Sequence, residues 1–259
     1  MDRFFVEPND VDLDNGKLYI YGEDVKHITK VLRYSQGDKL EVCDGNNNEY
    51  ICEITDFDKD SVELDIVEKV DINRESKIRV RLYQGLPKNT KMDIILQKLT
   101  ECGVSEIILV NTERTVVNLN DKKADKKLER WERIMYEAAK QSKRGVVPKL
   151  SGILSFKEAL EDMKNNDINI SPYEEEKSLG IKEVLASKEV KELVESKDEV
   201  SVGIFIGPEG GFSERENEII KENNIPSVTM GPRIFRTETA SIAATVITMY
   251  ELGDVGGSF

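Results

Sequence analysis

The stretch VSVGIFIGPEGG (200–211) constrains this chain more than any other. An apolar run of strand length passes without a polar break into a turn rich in glycine. A helix start follows, with Ser213 suited to an N-cap and Glu216 placed three residues on to complete a capping box. A buried strand feeding a Gly-rich turn and then a helix belongs to open α/β sheets, which bind ligands at that turn. The turn is neither GxGxxG nor GxxxxGK[ST], and no lysine follows it. It carries Glu209 instead, and a carboxylate there repels phosphate. Ribose hydroxyls, an adenine edge or a positive charge suit it better. A plain tight turn, with glycines that only supply positive φ, is an equal reading of GPEGG taken alone.

A second element of the same kind lies at MGPRIFRTETASIAA (230–244). A short strand leads to another Gly-Pro turn, then to Arg233 and Arg236, then to a helix beginning TETA. The small residues Ala240, Ser241, Ala243 and Ala244 allow close approach, either of a ligand or of a packed helix. Two Gly-Pro turns after successive strands can wall one pocket.

The rest of the chain divides by texture. Up to about residue 72 it reads as short alternating strands, KLYIYG (17–22), DKLEVCDG (38–45), NEYICEITDF (48–57) and SVELDIVEKV (61–70), with DGNNN as a turn. One helical stretch, GEDVKHITKVLRY (22–34), has Val25, Ile28, Val31 and Leu32 at helical spacing, which suggests a small β-barrel with a helical insert. From residue 73 strands alternate with helices. IRVRLYQGL (78–86), EIILVNTE (106–113), INIS (168–171), 200–206 and PSVTMG (226–231) read as strands. The segments 90–104, 126–144, 156–166, 181–195, 213–224 and 237–252 read as helices. That alternation predicts a mostly parallel sheet.

Charge follows the same division. The net charge is −13, which argues against a nucleic-acid partner for the chain as a whole. Residues 1–72 carry a net −11, residues 73–151 a net +8 and residues 152–259 a net −10. A basic block between acidic ones can attract a polyanion locally; a solvated lysine-rich helix over 122–133 explains the lysines equally well. Cys43, Cys52 and Cys102 form no CxxC pair, so neither a zinc site nor a disulfide framework is expected, and a reducing cytoplasm is. No apolar run reaches the roughly 20 residues of a membrane span, and MDRFFVEPND lacks the apolar core of a secretory signal.

IGPEGGFSERENE followed by MGPRIFRTETASIAA resembles the small-subunit ribosomal RNA methyltransferase E family, within the knotted SPOUT methyltransferases. RFFV (3–6), HITKVLR (27–33), GLPKNTKMDIILQKLTECGVSEI (85–107), ERTVV (113–117) and RWERIMYEAAKQSKR (130–144) are similar to that family's blocks, in the family's order, over essentially the whole chain. The resemblance implies an α/β protein with a PUA-like β-barrel for RNA binding at 1–72. At 73–259 it implies a SPOUT methyltransferase domain with a trefoil knot, a feature rare enough that strand spacing cannot reveal it. It also implies a homodimer that methylates N3 of one uridine in 16S rRNA, with S-adenosylmethionine as cofactor and no metal.

By matching position, the cofactor is expected against three loops: Ser171, Pro172 and Tyr173; Ile206, Gly207, Glu209, Gly210 and Gly211; and Met230, Gly231, Ile234, Phe235, Arg236, Thr239 and Ala240. The middle of each loop offers backbone groups to adenine and ribose. Methyl transfer to N3 needs loss of a weakly acidic proton, so a cation must steady the uracil anion. Arg236 is the candidate cation and Glu238 the candidate proton acceptor. A plain Arg236–Glu238 salt bridge is the competing reading. RNA contacts are expected from Arg3, His27, Lys30 and Arg33, the last three on one helix face. Lys88, Lys91, Arg114, Gln141 and Arg144 complete the expected set. A non-catalytic RNA-binding adaptor with a degenerate cofactor pocket is the alternative. A nucleotide-dependent α/β enzyme lacks a phosphate-binding signature.

Overall fold

The computed structural model describes residues 1–88, 91–115 and 121–257. Val116 and Val117 of the ERTVV block, and Asn89 and Thr90, lie outside the described residues. The chain divides into two units: Met1–Glu75 with Tyr136–Val147, and Ser76–Met135 with Pro148–Phe259.

In the first unit, six strands form one mixed sheet: β1 (Arg3–Phe5), β2 (Val11–Asp12), β3 (Lys17–Tyr21), β4 (Lys39–Cys43), β5 (Glu49–Phe57) and β6 (Ser61–Val70). Their order is β1-β4-β5-β6-β3-β2. β1 runs parallel to β4, and the other pairs are antiparallel. Alternation builds the core. Leu18 and Ile20, Leu40 and Val42, Tyr50, Cys52 and Ile54, and Val62 and Leu64 all point inward and are buried. Irregularities at Ile51/Cys52 and Ile54/Asp56 bend the β5–β6 pair. β1 and β2 remain the two edges of the sheet, so the expected barrel is a curled half-barrel. Cys43 and Cys52 are buried within it, and burial pushes their thiols up to about 11 and about 12.

The helical insert differs from its expected form. It starts as α1 (Glu23–Lys26) and continues as a π-helix over His27–Leu32. Val25 and Ile28 face the core, but the wider π turn leaves Val31 67% exposed. Arg33 ends the helix in the left-handed region, with φ 57°. His27, Lys30 and Arg33 therefore do not share a face through α-helical spacing. Lys30 and Arg33 are exposed, while His27 is half-buried, edge-on to Phe4.

Residues 136–147 join this unit through buried polar contacts. The Arg3 guanidinium is ion-paired with Glu49 at 2.5 Å and Glu41 at 3.3 Å, and it donates to the carbonyls of Lys143 at 2.8 Å and Arg144 at 2.7 Å. Arg144 pairs with Glu75 at 2.5 Å. Tyr136 donates to Asp24, which also pairs with Lys140 at 3.1 Å. Arg3 and Arg144, expected to grip RNA, are 4% and 6% exposed. Their charges are engaged inside the unit, which corrects that expectation.

The second unit holds a six-stranded parallel sheet: β7 (Ile78–Gly85), β8 (Glu106–Asn111), β9 (Lys149–Ser155), β10 (Ile168–Pro172), β11 (Val200–Ile206) and β12 (Ser227–Val228). Its order is β12-β10-β11-β7-β8-β9, and every pairing is parallel. β7 and β11 lie at the centre; β11 is a nearly continuous apolar run buried on both faces, while β7 alternates through half-buried Arg79 and Arg81 and is fully buried only from Leu82 on. The helices are α2 (Lys91–Glu101), α3 (Asp121–Gln141, of which Tyr136 onward belongs to the first unit), α4 (Phe156–Met163), α5 (Ile181–Leu185), α6 (Lys188–Ser196), α7 (Glu214–Glu222) and α8 (Thr237–Glu251). β9 has no counterpart in the sequence reading. It is an edge strand with a glycine inside it and a register shift against β8, so it shows no clean alternation. The helix read over 181–195 breaks in two where Ser187 caps α6 through the Val190 N–H.

Replacing Arg3 by Met should lower the unfolding free energy by about 3–5 kcal/mol, because Glu41 and Glu49 lose a buried counter-charge. Urea denaturation measures it, and a loss below about 1 kcal/mol would show that Arg74, 2.9 Å from Glu49, suffices.

Candidate active site

The site forms where β10, β11 and β12 end. β11 delivers Gly207–Gly211 as a turn closed by a Gly211 N–H to Pro208 carbonyl bond of 2.9 Å. Gly211 has φ +65°, and the Glu174 carboxylate occupies the place a side chain would take. Helix α7 then starts with the capping box expected from sequence: Ser213 N–H to Glu216 at 3.0 Å and Glu216 N–H to Ser213 Oγ at 3.2 Å. Glu113 fastens this start from the side. Its N–H donates to Glu216 at 2.7 Å, and its carboxylate accepts from Ser213 Oγ at 2.7 Å.

Underneath, Gln84 at the end of β7 is fully buried. Its Nε2 donates to Thr237 Oγ1 at 3.1 Å, and its Oε1 accepts from Ser241 Oγ at 2.5 Å. Thr237 Oγ1 in turn donates to the Gly207 carbonyl at 2.7 Å. One side chain therefore joins the β7 end to the first turn of α8, and Thr237 carries the link on to the Gly-Pro turn. Gly85 packs against that turn, and a Cβ there would lie 2.7 Å from Pro208.

The three loops enclose a cavity of about 250 Å³, close to the lower end of the roughly 300–1,000 Å³ usual for small-molecule pockets. Of the residues expected at the cofactor, Pro172, Tyr173, Ile206, Gly207, Glu209, Gly211, Met230, Gly231, Ile234, Phe235, Arg236 and Ala240 line it. Three do not. Ser171 is buried beneath, with its hydroxyl on the Phe205 carbonyl. Gly210 faces Arg114, which donates to its carbonyl at 2.6 Å. Thr239 is exposed on α8, away from the wall.

The wall also contains residues that the sequence reading missed. Thr229 is one, and Lys91, expected on RNA, is another; Glu174, Arg233 and Thr237, which lie in the expected loops but are not singled out there, also line it. Lys91 lies 3.4 Å from Glu209 and 3.4 Å from Glu238. Glu238 thus pairs with Lys91 rather than with Arg236. The Glu238 Oε2 is buried and accepts no aligned hydrogen bond. Burial pushes the Glu209 carboxyl up, but the Lys88 N–H at 2.9 Å and the Lys91 ammonium outweigh it and hold it below its ordinary value. Arg236 is exposed at the N-cap of α8, and among the described residues its guanidinium has no ion-pair partner. Lys88, Arg114 and Gln141 are exposed. Gln84 carried one usable signal, a polar side chain ending a strand that is otherwise buried.

A parallel sheet with such a cavity at its strand ends, in one chain with a curled mixed-sheet unit, defines an RNA methyltransferase class. An RNA methyltransferase domain matches residues 74–249 and an RNA methyltransferase PUA domain matches residues 20–67. The ribosomal RNA small subunit methyltransferase E of Bacillus subtilis is 37% identical over 252 residues, 97% of each chain. That of Aquifex aeolicus is 30% identical, covering 90% of this chain and 95% of its own. The solved enzyme of that name from Neisseria gonorrhoeae, bound to S-adenosyl methionine, superposes with a TM-score of 0.79 at 28% identity, over 96% of this chain and 97% of its own. A Legionella pneumophila protein solved with bound SAM gives 0.83 at 27%, over 96% of each chain. The chain belongs to the ribosomal RNA small subunit methyltransferase E family.

Gln84→Leu should cost about 1–3 kcal/mol, because it leaves buried partners on Thr237, Ser241 and Gly85 unsatisfied. Chemical denaturation reads this, and an unchanged midpoint would show that the remaining hydroxyl bonds hold the turn alone.

Proposed function

We propose that the chain transfers the methyl group of S-adenosylmethionine to N3 of one uridine in 16S rRNA, acting in the cytoplasm as a homodimer. The observation that carries this reading is the cavity itself: three loops at neighbouring strand ends, with Arg236 on the wall and no ion-pair partner for it among the described residues. The residues present fit the cofactor. Close glycine packing keeps the turn free of side chains, and Glu209 on the wall offers a carboxylate to a ribose hydroxyl or a positive group. When bound, the cofactor supplies an electrophilic methyl on a sulfonium. The chain's own residues do the rest. The backbone of 206–211 and 230–235 holds the adenosine, and Tyr173 packs beside it. Glu238 takes the N3 proton, and Arg236 steadies the charge that spreads onto the uracil oxygens. The nitrogen lone pair then forms the new N–C bond as the C–S bond breaks, and the sulfur keeps that electron pair.

RNA contacts fall to the exposed side chains. These are Lys30, Arg33 and Gln141 with His27 on the first unit, and Lys88 and Arg114 beside the cavity on the second. Phosphate contacts position the strand, while the chosen base must leave its stack to enter the cavity. Residues 1–72 serve as the RNA-binding domain and 73–259 as the methyltransferase domain. The knot of the family is part of this proposal; α8, its last helix, packs on α2, β7 and β11.

Arg236→Ala should slow single-turnover methylation by about a hundredfold or more, with cofactor binding and melting temperature little changed. Arg236→Lys should recover only part of the rate, because it lacks the planar fork. A normal rate in Arg236→Ala would remove this residue from the chemistry. Light scattering at micromolar protein should give twice the mass of one chain, and a monomer that methylates RNA at full rate would show the dimer to be dispensable.

A further inference from the structure

Lys91 stands at the start of α2, and its ammonium is shared between two carboxylates that belong to different loops. Glu209 comes from the turn after β11, and Glu238 from the first turn of α8. Their side chains are 26% and 15% exposed, and that of Lys91 is 30% exposed. Lys91 and Glu209 line the cavity and Glu238 does not; Lys91 and Glu238 are half-buried, whereas Glu174, Arg233 and Arg236 on the wall are exposed and screened by solvent. The Lys91 ammonium is within ion-pair distance of Glu238 Oε2, yet it does not satisfy that oxygen with an aligned hydrogen bond. An acceptor is thus left facing a cation it only partly engages.

We propose that Lys91 is a specificity-determining residue that sets the charge preference of the cavity. One ammonium between two carboxylates leaves the trio with a single net negative charge. Without it the two carboxylates present a double one. This rests on the reading that S-adenosylmethionine binds here. The methyl donor carries a sulfonium cation, whereas its demethylated product has a neutral thioether in the same place. Two bare carboxylates would hold the donor much more tightly than the product. With Lys91 in place the bias is that of one charge, enough to favour the donor while keeping its binding moderate. Lys91 acts through Glu209 and Glu238 and takes no part in bond making.

The test is isothermal titration of the full chain, without RNA, with S-adenosylmethionine and with S-adenosylhomocysteine. The quantity read is the ratio of the two dissociation constants. Lys91→Met should move that ratio toward the cationic donor by about tenfold, the scale of one charge a few ångströms away that solvent still largely screens. Lys91→Arg keeps the charge and should keep the wild-type ratio. Glu238→Gln removes a negative charge and should move the ratio the opposite way, toward the neutral product. That variant leaves Lys91 in place, so it tests the proposal even if Lys91→Met folds poorly. Equal weakening of both ligands in Lys91→Met, or an unchanged ratio in Glu238→Gln, would overturn the proposal and make Lys91 a brace between loops. Wild-type protein that binds neither ligand would overturn the cofactor reading, and this proposal with it.

Discussion

The buried amide of Gln84 organises the second unit. It stands at the C-terminal end of a central parallel strand, where neither face of the sheet meets water. There an amide must find partners or cost free energy. Its partners are the Gly85 carbonyl and the hydroxyls of Thr237 and Ser241, and Thr237 passes the contact on to Gly207. The first turn of α8 and the Gly-Pro turn after β11 are thereby held to the same strand end. Two of the three loops around the cavity inherit their positions from this one group. The third follows from the sheet, where Tyr173 donates its backbone N–H to the Val228 carbonyl.

On that frame the charges fall into two kinds. Lys91 and Glu209 pair on the cavity wall, and Lys91 also pairs with Glu238, which lies outside the lining. Arg233 and Arg236 stand at the wall with no ion-pair partner among the described residues, available to whatever enters. An internal Arg236–Glu238 pair would have neutralised both groups expected to carry the chemistry. The reach of Lys91 from α2 removes that competition, because it gives Glu238 an ion-pair partner other than Arg236.

The first unit uses arginine differently. Arg3 and Arg144 are cations expected to grip RNA, yet both are buried within their own unit, Arg3 against carboxylates and carbonyls and Arg144 against Glu75. Their fork geometry suits this, since a guanidinium can meet two carboxylates and two carbonyls at once. The same side-chain type on the same unit, Arg33, is exposed because the backbone turns left-handed after the π-helix.

What was legible in the sequence depended on local signals. The uniform apolar run of 200–206, the glycine turn after it, the Ser213–Glu216 capping box and the β/α alternation each follow from chemistry within a few residues. They placed the sheet class and the two Gly-Pro turns, and the joint pattern of motifs placed the family and, by matching position, the rest of the cavity wall. The RNA-facing set was less legible, because exposure is not a local property; a lysine and a buried hub arginine look alike in one dimension. Strand β9 and the π turn lacked the periodicity that would have marked them. The Lys91 bridge and the Gln84 network join residues more than a hundred positions apart in sequence, and no spacing rule reaches that far. By itself the sequence determined which segments became buried strands, where they turned and which residue types stood at the turns. Only the tertiary structure decided which charges met, because pairing depends on which strand ends the parallel order brings side by side.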